Sequence, residues 1–230
     1  MSTAIVIPPR EIHIRVADLD RVPAHPEWLS PEEQQRSSRF VVPLHQRRYL
    51  ASRTILRSLL AEYLGDHPAR VPMAATLQGK PFVPGSELRF NLSHSDGAGL
   101  YGFSCEAEIG VDIEKIDARS CTEEVARLVF TPDELERWMK LDTSERTAVF
   151  FRVWTRKEAI VKATGEGLGR ATDTFAVAWT PEPARVCGLW LLPLAAPHGY
   201  QASLAAIAPD CPTVAVGQLT MLSEPRGGVH

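Results

Sequence analysis

The order of its strand and helix patterns restricts the folds open to this chain of 230 residues. Residues 11–19, EIHIRVADL, alternate apolar and polar side chains with the period of two that is typical of a half-buried strand. Helix patterns and further strand patterns follow, and the same order begins again near residue 108. We find no sequence repeat, yet the doubled order predicts an α/β (α+β) fold of two similar small halves.

The boundary between these halves is expected near residues 105–109. We assign residues 1–107 to the first half, 108–222 to the second and 223–230 to a frayed tail. Hydrophobic residues make up 44% of the chain, which is enough to bury a sizeable core in one large domain or two small packed ones.

Local signals place the elements of the first half. Ser30, Pro31 and Glu33 have the spacing of a capping box with proline at the first helical position, so a helix begins there. A second helix is predicted over residues 44–64, and proline and glycine indicate loops in GKPFVPGSE. The runs LRFNL and GLYGFS flank a turn signal and predict a hairpin over residues 88–104.

The second half has signals of the same kind. EIGVDIEKI predicts a strand, with Ile109, Val111 and Ile113 on one face and Gly110, Asp112 and Glu114 on the other. TPDELERWM carries a second capping box, and a long helix is predicted to end at Gly165. Four strand-like runs come last: FAVAW, GLWLL, YQASLAAIA and TVAVGQL.

Composition argues against several classes of protein. A net charge of -3 argues against a general nucleic-acid binder, whose affinity depends on excess Lys and Arg. No apolar stretch has the length of a membrane span, and the N-terminal residues lack the pattern of a signal peptide, so a cytoplasmic protein is expected. The four cysteines have neither the paired spacing of a zinc site nor the density of a disulfide scaffold, so we expect them to be reduced. They are Cys105, Cys121, Cys187 and Cys211.

Positive charge is concentrated between residues 36 and 57, where six arginines occur without any acidic residue. This stretch is either an anion site or a solvated helical face whose arginine stems cover the edge of the core. The six are Arg36, Arg39, Arg47, Arg48, Arg53 and Arg57.

Three acidic residues are candidates for a metal site. Asp112 and Glu114 lie two apart on a strand, so their backbones are about 6.6 Å apart on one face and both side chains can reach one ion. They are alternatively the solvated face of an edge strand. Glu158 lies four residues before Lys162 on a helix, which is also the spacing of a common surface ion pair. If Glu158 comes near the strand, three carboxylates form an all-oxygen site suited to Mg²⁺ or Mn²⁺.

Ser93 and His94 follow one another in NLSHSDG. Neighbouring side chains on an extended chain point apart, and the chain has no G-x-S-x-G elbow, so a nucleophilic serine paired with this histidine is not expected. Hydrogen bonds from both to a phosphate are one interpretation, and a turn without special role is the other. Lys80 is by default an exposed loop lysine.

The order of four motifs carries more information than any one of them. QGKPFVP, FNLSHSDG, IGVDIEKID and VWTRKEAIVKATGEGLG together resemble the motif series of the Sfp-type 4′-phosphopantetheinyl transferases. LSPEEQQRSSRF and RRYLASRTILR also look like the N-terminal region of that family, so the resemblance covers most of residues 1–180. The last motif, W-[ST]-x-K-E-[AS]-x-x-K, is the most specific part.

The resemblance implies an enzyme that moves 4′-phosphopantetheine from coenzyme A to a serine hydroxyl of an apo acyl or peptidyl carrier protein. It implies Mg²⁺ held by Asp112, Glu114 and Glu158, with Glu158 near enough to take the serine proton and Lys162 stabilising the leaving phosphate. The residues that match coenzyme A phosphate contacts are Arg36, Arg48, Lys80, Ser93 and His94. The family further implies two halves related by pseudo-twofold symmetry in one chain, usually a monomer.

One position departs from the family pattern. Relatives often have a lysine where this chain has Glu33, so one expected phosphate contact is missing. Glu33 has a separate role as the capping-box glutamate, and Arg36 lies one turn later.

Other functions remain open to the sequence. A metal-dependent phosphoester hydrolase would use the same three carboxylates on water, and a non-catalytic module would bind coenzyme A or a carrier without turnover. A nucleic-acid binder would show steep salt dependence. If a carrier is bound, we expect exposed apolar residues of the helical second half to form the docking surface.

Overall fold

A computed structural model describes residues 4–166 and 172–219, and this part contains ten strands and five α-helices. The tail expected over residues 223–230, the last three residues of the expected second half and Gly169 at the end of the fourth motif lie outside the described residues. The helices are α1 (Pro31–Ser37), α2 (Pro43–Leu64), α3 (Glu123–Val129), α4 (Pro132–Met139) and α5 (Thr143–Thr164). The strands are β1 (Glu11–Asp18), β2 (Ala74–Ala75), β3 (Pro81–Phe82), β4 (Arg89–Ser95), β5 (Ala98–Ser104), β6 (Glu108–Lys115), β7 (Ala184–Val186), β8 (Leu189–Leu194), β9 (Tyr200–Ile207) and β10 (Thr213–Leu219).

The elements predicted before residue 108 are present. Both bonds of the capping box form at the start of α1, because the Ser30 hydroxyl accepts from the Glu33 N–H and the Glu33 carboxylate accepts from the Ser30 N–H. α2 ends at Gly65, which adopts a left-handed conformation at φ 66°. The expected hairpin is β4 and β5. GKPFVPGSE is not purely a loop, because β3 lies in it and pairs with β2.

One strand prediction in the second half is wrong. FAVAW forms no strand, although Phe175 and Val177 are buried in the core beneath the helices. The Val177 N–H donates to the Glu134 carboxylate (2.9 Å) instead of to a neighbouring strand. Alternating burial arises here without a hydrogen-bonded ladder, and β7 takes the edge position beside β8.

Two four-stranded sheets form the centre of the fold, with strand orders β10-β1-β5-β4 and β6-β9-β8-β7. β10 follows the second sheet in the sequence but pairs in parallel with β1 of the first, from Thr213 opposite Glu11 to Leu219 opposite Ala17. The stretch expected as the second half therefore supplies its last described strand to the first sheet. The mixed α/β class is confirmed, and the pseudo-twofold relation stays a prediction.

Three clusters of apolar side chains hold these layers together. One lies between α2 and the first sheet, and another lies between helices α3 to α5 and the second sheet. The third lies between the sheets and includes Ile109, Val111 and Ile113 of β6, as the alternation predicts. Gly110, Asp112 and Glu114 consequently face α5. Among the described helices, none combines the length and the apolar character required to cross a bilayer.

Candidate active site

Close contact between α5 and β6 begins at Gly110. A methyl group at this position would lie 2.9 Å from the carbonyl carbon of Lys162, and closer still to the Ala159 oxygen and the Ala163 nitrogen. All three are backbone atoms, so the helix can approach this strand only where the strand has no side chain. The approach brings the Glu158 and Lys162 side of α5 over the carboxylates of β6.

Asp112 lies at the centre of the site and is only 2% exposed. Its Oδ1 accepts hydrogen bonds from the Ser93 hydroxyl (2.8 Å) and the Lys162 ammonium (2.6 Å), and Lys162 also donates to the Ser93 oxygen (3.0 Å). The other oxygen, Oδ2, is buried and has no hydrogen-bond partner within the described ranges. A buried carboxylate oxygen without a donor is costly, and it is suited to a ligand that brings positive charge.

The free edge of β6 is covered, so Asp112 is not on a solvated edge. β6 is the last strand of its sheet, but β4 packs beside it and the Val111 N–H donates to the Asn91 side-chain oxygen (2.9 Å). β6 is thus an edge strand, but Asp112 is buried, so the interpretation of Asp112 as part of a solvated face is wrong. Its burial follows from a neighbouring sheet that the local sequence does not reveal.

Glu114 and Glu158 add two further carboxylates. Glu114 accepts a hydrogen bond from the Ser95 hydroxyl (2.7 Å), and burial raises its pKa to about 7, with the charges of Asp112 and Glu158 acting in the same direction. Burial likewise raises the pKa of Glu158, and the charge of Asp112 adds to this. Lys162 bonds to Asp112 and not to Glu158 in a solvated pair, so the surface-pair interpretation is wrong.

These carboxylates do not form a finished metal site as the side chains stand. Within the described part of the chain, no group of three histidine, cysteine, aspartate or glutamate side chains is arranged to hold an ion. Lys162 occupies one oxygen of Asp112, and Ser95 occupies one oxygen of Glu114. The donor set nevertheless suits a hard divalent cation, because all three groups are carboxylates and Asp112 Oδ2 is unpartnered.

Ser93 and His94 lie at the mouth of this site on β4. Ser93 is buried and bonded to both Asp112 and Lys162, whereas the His94 ring is accessible. Surrounding protein atoms partly desolvate that ring, and this desolvation together with the positive charges of Lys162 and Arg36 lowers the pKa of His94. Lys162 of α5 and Arg36 of α1 thus both act electrostatically on His94.

Arg36 and Arg39 are the two members of the arginine run that pair with no acidic side chain among the described residues. Both are on or just after α1, and with Phe40 they line an open hollow of about 520 Å³. The Arg36 guanidinium lies 5.7 Å from the centre of the Tyr49 ring. The hollow therefore combines two arginines with the aromatic ring of Phe40, and Glu32 and Gln35 complete its lining.

Acidic side chains hold the other four arginines. Arg48 donates to Asp20 (2.9 and 2.7 Å) and also to Asp96, and Arg47 donates to Asp20 (2.7 Å). The hydrogen bonds that Arg48 donates to Asp20 raise the pKa of Arg48, and the contact with Asp96 adds to this. Arg48 is therefore part of an ion-pair network and does not point freely into a ligand site.

Glu33, the departure from the family pattern, binds the remaining two. Its carboxylate accepts from Arg53 (2.6 Å) and Arg57 (2.7 Å), and the glutamate is 8% exposed. Burial alone would raise the pKa of Glu33, but the two arginines and the Ser30 N–H hold it below the ordinary value. Glu33 thus joins α1 to α2 and neutralises two arginines that would otherwise be available to bind an anion.

Lys80 is not an exposed loop lysine. Its ammonium donates to Glu108 (2.8 Å), and the backbone oxygens of Ile109 and Ala163 lie 3.4 Å away. The contacts of Lys80 are with the start of β6 and the end of α5.

Sequence reasoning missed a buried ion pair beside the site. Lys157 is fully buried, and its ammonium donates to Glu134 (2.5 Å) and to the Val129 and Thr172 carbonyls. The available signal was the position of Lys157 one residue before Glu158, in a helix whose neighbouring positions are apolar. A capping-box glutamate is ordinarily exposed, so nothing in the sequence linked Glu134 to this lysine.

Comparisons with known proteins identify the family to which the chain is similar. A family model described as 4′-phosphopantetheinyl transferase superfamily matches residues 108–205, and one described as 4′-phosphopantetheinyl transferase, N-terminal, matches residues 22–100. The two matches together cover α1, α2, β4, helices α3 to α5 and most of the second sheet, whereas β1 and β10 of the first sheet lie outside them.

Individual proteins similar to this chain are named as phosphopantetheinyl transferases. The chain is 40% identical over 163 residues to the 4′-phosphopantetheinyl transferase HetI of Nostoc sp., which covers 69% of this chain and 68% of the relative. It is 27% identical over 206 residues to the 4′-phosphopantetheinyl transferase Sfp of Bacillus subtilis, covering 85% and 88%. An L-aminoadipate-semialdehyde dehydrogenase-phosphopantetheinyl transferase of Xenopus laevis is 30% identical over 165 residues, covering 64% and 55%.

Proposed function

This chain belongs to the 4′-phosphopantetheinyl transferase family, and we propose that Asp112, Glu114 and Glu158 hold a divalent cation for its reaction. The enzyme transfers the 4′-phosphopantetheine group from coenzyme A to a serine hydroxyl of an apo carrier protein and releases adenosine 3′,5′-bisphosphate. In this transfer the serine oxygen bonds to the phosphorus of phosphopantetheine, and the bond from that phosphorus to the bridging oxygen of the nucleotide breaks.

The buried, unpartnered Oδ2 of Asp112 is the observation that carries the proposal for the cation. Glu114 and Glu158 supply two more carboxylates, and their pKa values are raised by burial first and by the neighbouring carboxylate charges second. Mg²⁺ suits this all-oxygen set, and Mn²⁺ is the natural substitute. A bound cation would neutralise the charge of the diphosphate during transfer.

Glu158 is the residue we assign to the proton of the attacking serine. The raised pKa makes its carboxylate a stronger base than an ordinary glutamate, and no hydrogen bond to the described residues occupies it. Lys162 is placed beside Asp112 and Ser93, where its positive charge can stabilise the phosphate of the departing nucleotide.

We assign coenzyme A binding to the side chains at the mouth of the site. Ser93 and His94 can donate hydrogen bonds to phosphate oxygens, and Arg36 supplies positive charge that has no acidic partner in the described part. Arg48 can join them only if it gives up a bond to Asp20 or Asp96. The monomeric state, the cytoplasmic location and the carrier-docking surface stay predictions from the sequence.

Binding of Mn²⁺, followed by its electron paramagnetic resonance signal, tests the proposed cation site without turnover. With coenzyme A present, Asp112→Asn should weaken Mn²⁺ binding about tenfold or more, because one carboxylate charge is lost. Asp117→Asn is the matched control, since Asp117 follows the same strand but pairs with Arg119 at the surface. Equal affinities of wild type and Asp112→Asn would contradict the proposal.

A further inference from the structure

The end of α5 determines where Glu158 and Lys162 sit relative to β6. The last carbonyl groups of a helix have no N–H partner within the helix, so something else must satisfy them. In this chain the Lys80 ammonium lies 3.4 Å from the carbonyl oxygen of Ala163, in the last turn of α5. A cation at this end also complements the helix dipole.

The same ammonium group holds the beginning of β6. It donates to the Glu108 carboxylate (2.8 Å) and lies 3.4 Å from the carbonyl oxygen of Ile109. Arg89 of β4 binds the other oxygen of Glu108 (2.8 Å), which fixes the carboxylate that orients Lys80. Lys80 therefore joins a short hairpin of the first half, the start of β6 and the end of α5.

These contacts flank the place where α5 crosses β6. Ile109 immediately precedes Gly110, and Ala163 immediately follows Lys162. The distance of 2.6 Å between Lys162 and Asp112 depends on this crossing, because the two residues are on the two elements that Lys80 holds together.

We propose that Lys80 is a positioning residue that fixes the end of α5 against β6, and thereby Lys162 and Glu158 against Asp112, in place of the phosphate contact that the resemblance implies. The proposal rests on the proposed function. An ammonium group has three donors, and Glu108, Ile109 and Ala163 provide three acceptors around this one. Its side chain is 17% exposed, so little of it is available to a ligand.

Two variants separate positioning from phosphate binding. Lys80→Met removes the charge and all three contacts, whereas Glu108→Gln weakens the contact that orients Lys80 and leaves its charge in place. As a positioning residue, Lys80 contributes to kcat, so Lys80→Met should lower kcat about tenfold or more with the KM for coenzyme A within about twofold of wild type. Glu108→Gln should lower kcat in the same direction by a smaller factor.

A phosphate contact gives the opposite pattern. Lys80→Met would then weaken the binding of adenosine 3′,5′-bisphosphate, measured by calorimetry, about tenfold or more. Glu108→Gln, which frees the ammonium group, would tighten it. Either of these two results overturns the proposal.

Hydrogen exchange of the peptide covering the end of α5 decides the same question without turnover. The positioning role predicts faster exchange there in both variants than in wild type, and unchanged exchange contradicts it. If wild type itself fails to modify any carrier, the proposed function fails, and the exchange and bisphosphate measurements still decide the role of Lys80. If Lys80→Met does not fold, Glu108→Gln alone carries the test, because the Glu108 side chain is 44% exposed and the replacement has the same size.

Discussion

Replacing Gly110 with alanine should lower both the rate of transfer and the stability of the fold, because this glycine sets the distance between α5 and β6. Real side-chain carbons essentially never come within 3.0 Å of such atoms, and ordinary contact begins at 3.4 Å. A methyl group at Gly110 would lie 2.9 Å from the Lys162 carbonyl carbon and nearer to two other backbone atoms of the helix. Since backbone atoms of a packed helix cannot turn aside, α5 must retreat by about 1 Å.

The retreat acts on both stability and chemistry. The bond of 2.6 Å from Lys162 to Asp112 would stretch beyond hydrogen-bond length, and Glu158 would move with the same helix. A displacement of this size costs about a hundredfold in rate. Overpacking of the interface costs about 1–3 kcal/mol of unfolding free energy.

Steady-state transfer to an apo carrier and urea unfolding measure the two effects. Gly217→Ala is the matched control: it places the same methyl group on a strand, but the nearest atoms belong to the Arg15 side chain, at 3.3–3.5 Å, and can move. We expect the control to keep wild-type kcat and stability. A Gly110→Ala enzyme with wild-type kcat would refute the reasoning, because the site would then tolerate a change in the crossing of α5 over β6.

Three further substitutions test other parts of the structure. Glu33→Gln leaves two buried arginine contacts without a negative charge and should destabilise the fold by about 3 kcal/mol at neutral pH. Because the pKa of Glu33 in the folded protein lies below the ordinary 4.5, wild type loses this contribution as the pH falls through that folded pKa. Acid unfolding curves of the variant should lack that loss. Lys157→Met leaves the buried Glu134 carboxylate without its ammonium and should cost about 3 kcal/mol in urea unfolding. Lys140→Met removes the exposed pair that Lys140 forms with Glu136 on α4 and should cost under about 1 kcal/mol; equal costs would contradict the role of burial. Leu128→Glu, at a side chain of α3 that is 71% exposed, should raise the KM for the carrier and leave the KM for coenzyme A unchanged; an unchanged carrier KM would exclude Leu128 from the docking surface.

Much of the local structure could be predicted because it depends on local chemistry. Ser30 with Glu33, and Thr131 with Glu134, form the capping boxes that their spacing predicts. The alternation in β6 correctly assigns one face to the core, since a period of two is a property of any strand. FAVAW shows the same alternation but forms no strand, because alternating burial does not require a hydrogen-bonded strand partner.

The parts that could not be predicted depend on contacts distant in sequence. β10 joins the first sheet beside β1, about 200 residues earlier, and no local pattern specifies that partner. Lys80, Arg48 and Glu33 are likewise defined by the charges that tertiary structure brings to them. The family resemblance implied phosphate contacts for Lys80 and Arg48 and a missing contact at Glu33, whereas the fold uses each of them in an ion pair.

The residues of the candidate site could be predicted, but the contacts between them could not. The resemblance named Asp112, Glu114, Glu158 and Lys162, and the structure places all four where α5 crosses β6. The bond from Ser93 to Asp112 and the unpartnered oxygen of Asp112 appear only in three dimensions, because β4 belongs to the other sheet.

Intact-protein mass spectrometry of an apo carrier protein incubated with this enzyme, coenzyme A and Mg²⁺ tests the central claim most directly. Parallel reactions contain EDTA, or Asp112→Ala in place of wild type, with circular dichroism to confirm that the variant is folded. The account predicts that the carrier gains the mass of one phosphopantetheine group with wild type and Mg²⁺, and gains nothing with EDTA or with folded Asp112→Ala. No gain on fatty-acid, polyketide or peptide carriers would contradict the transferase function, and a full gain with EDTA or with Asp112→Ala would contradict the carboxylate-held cation.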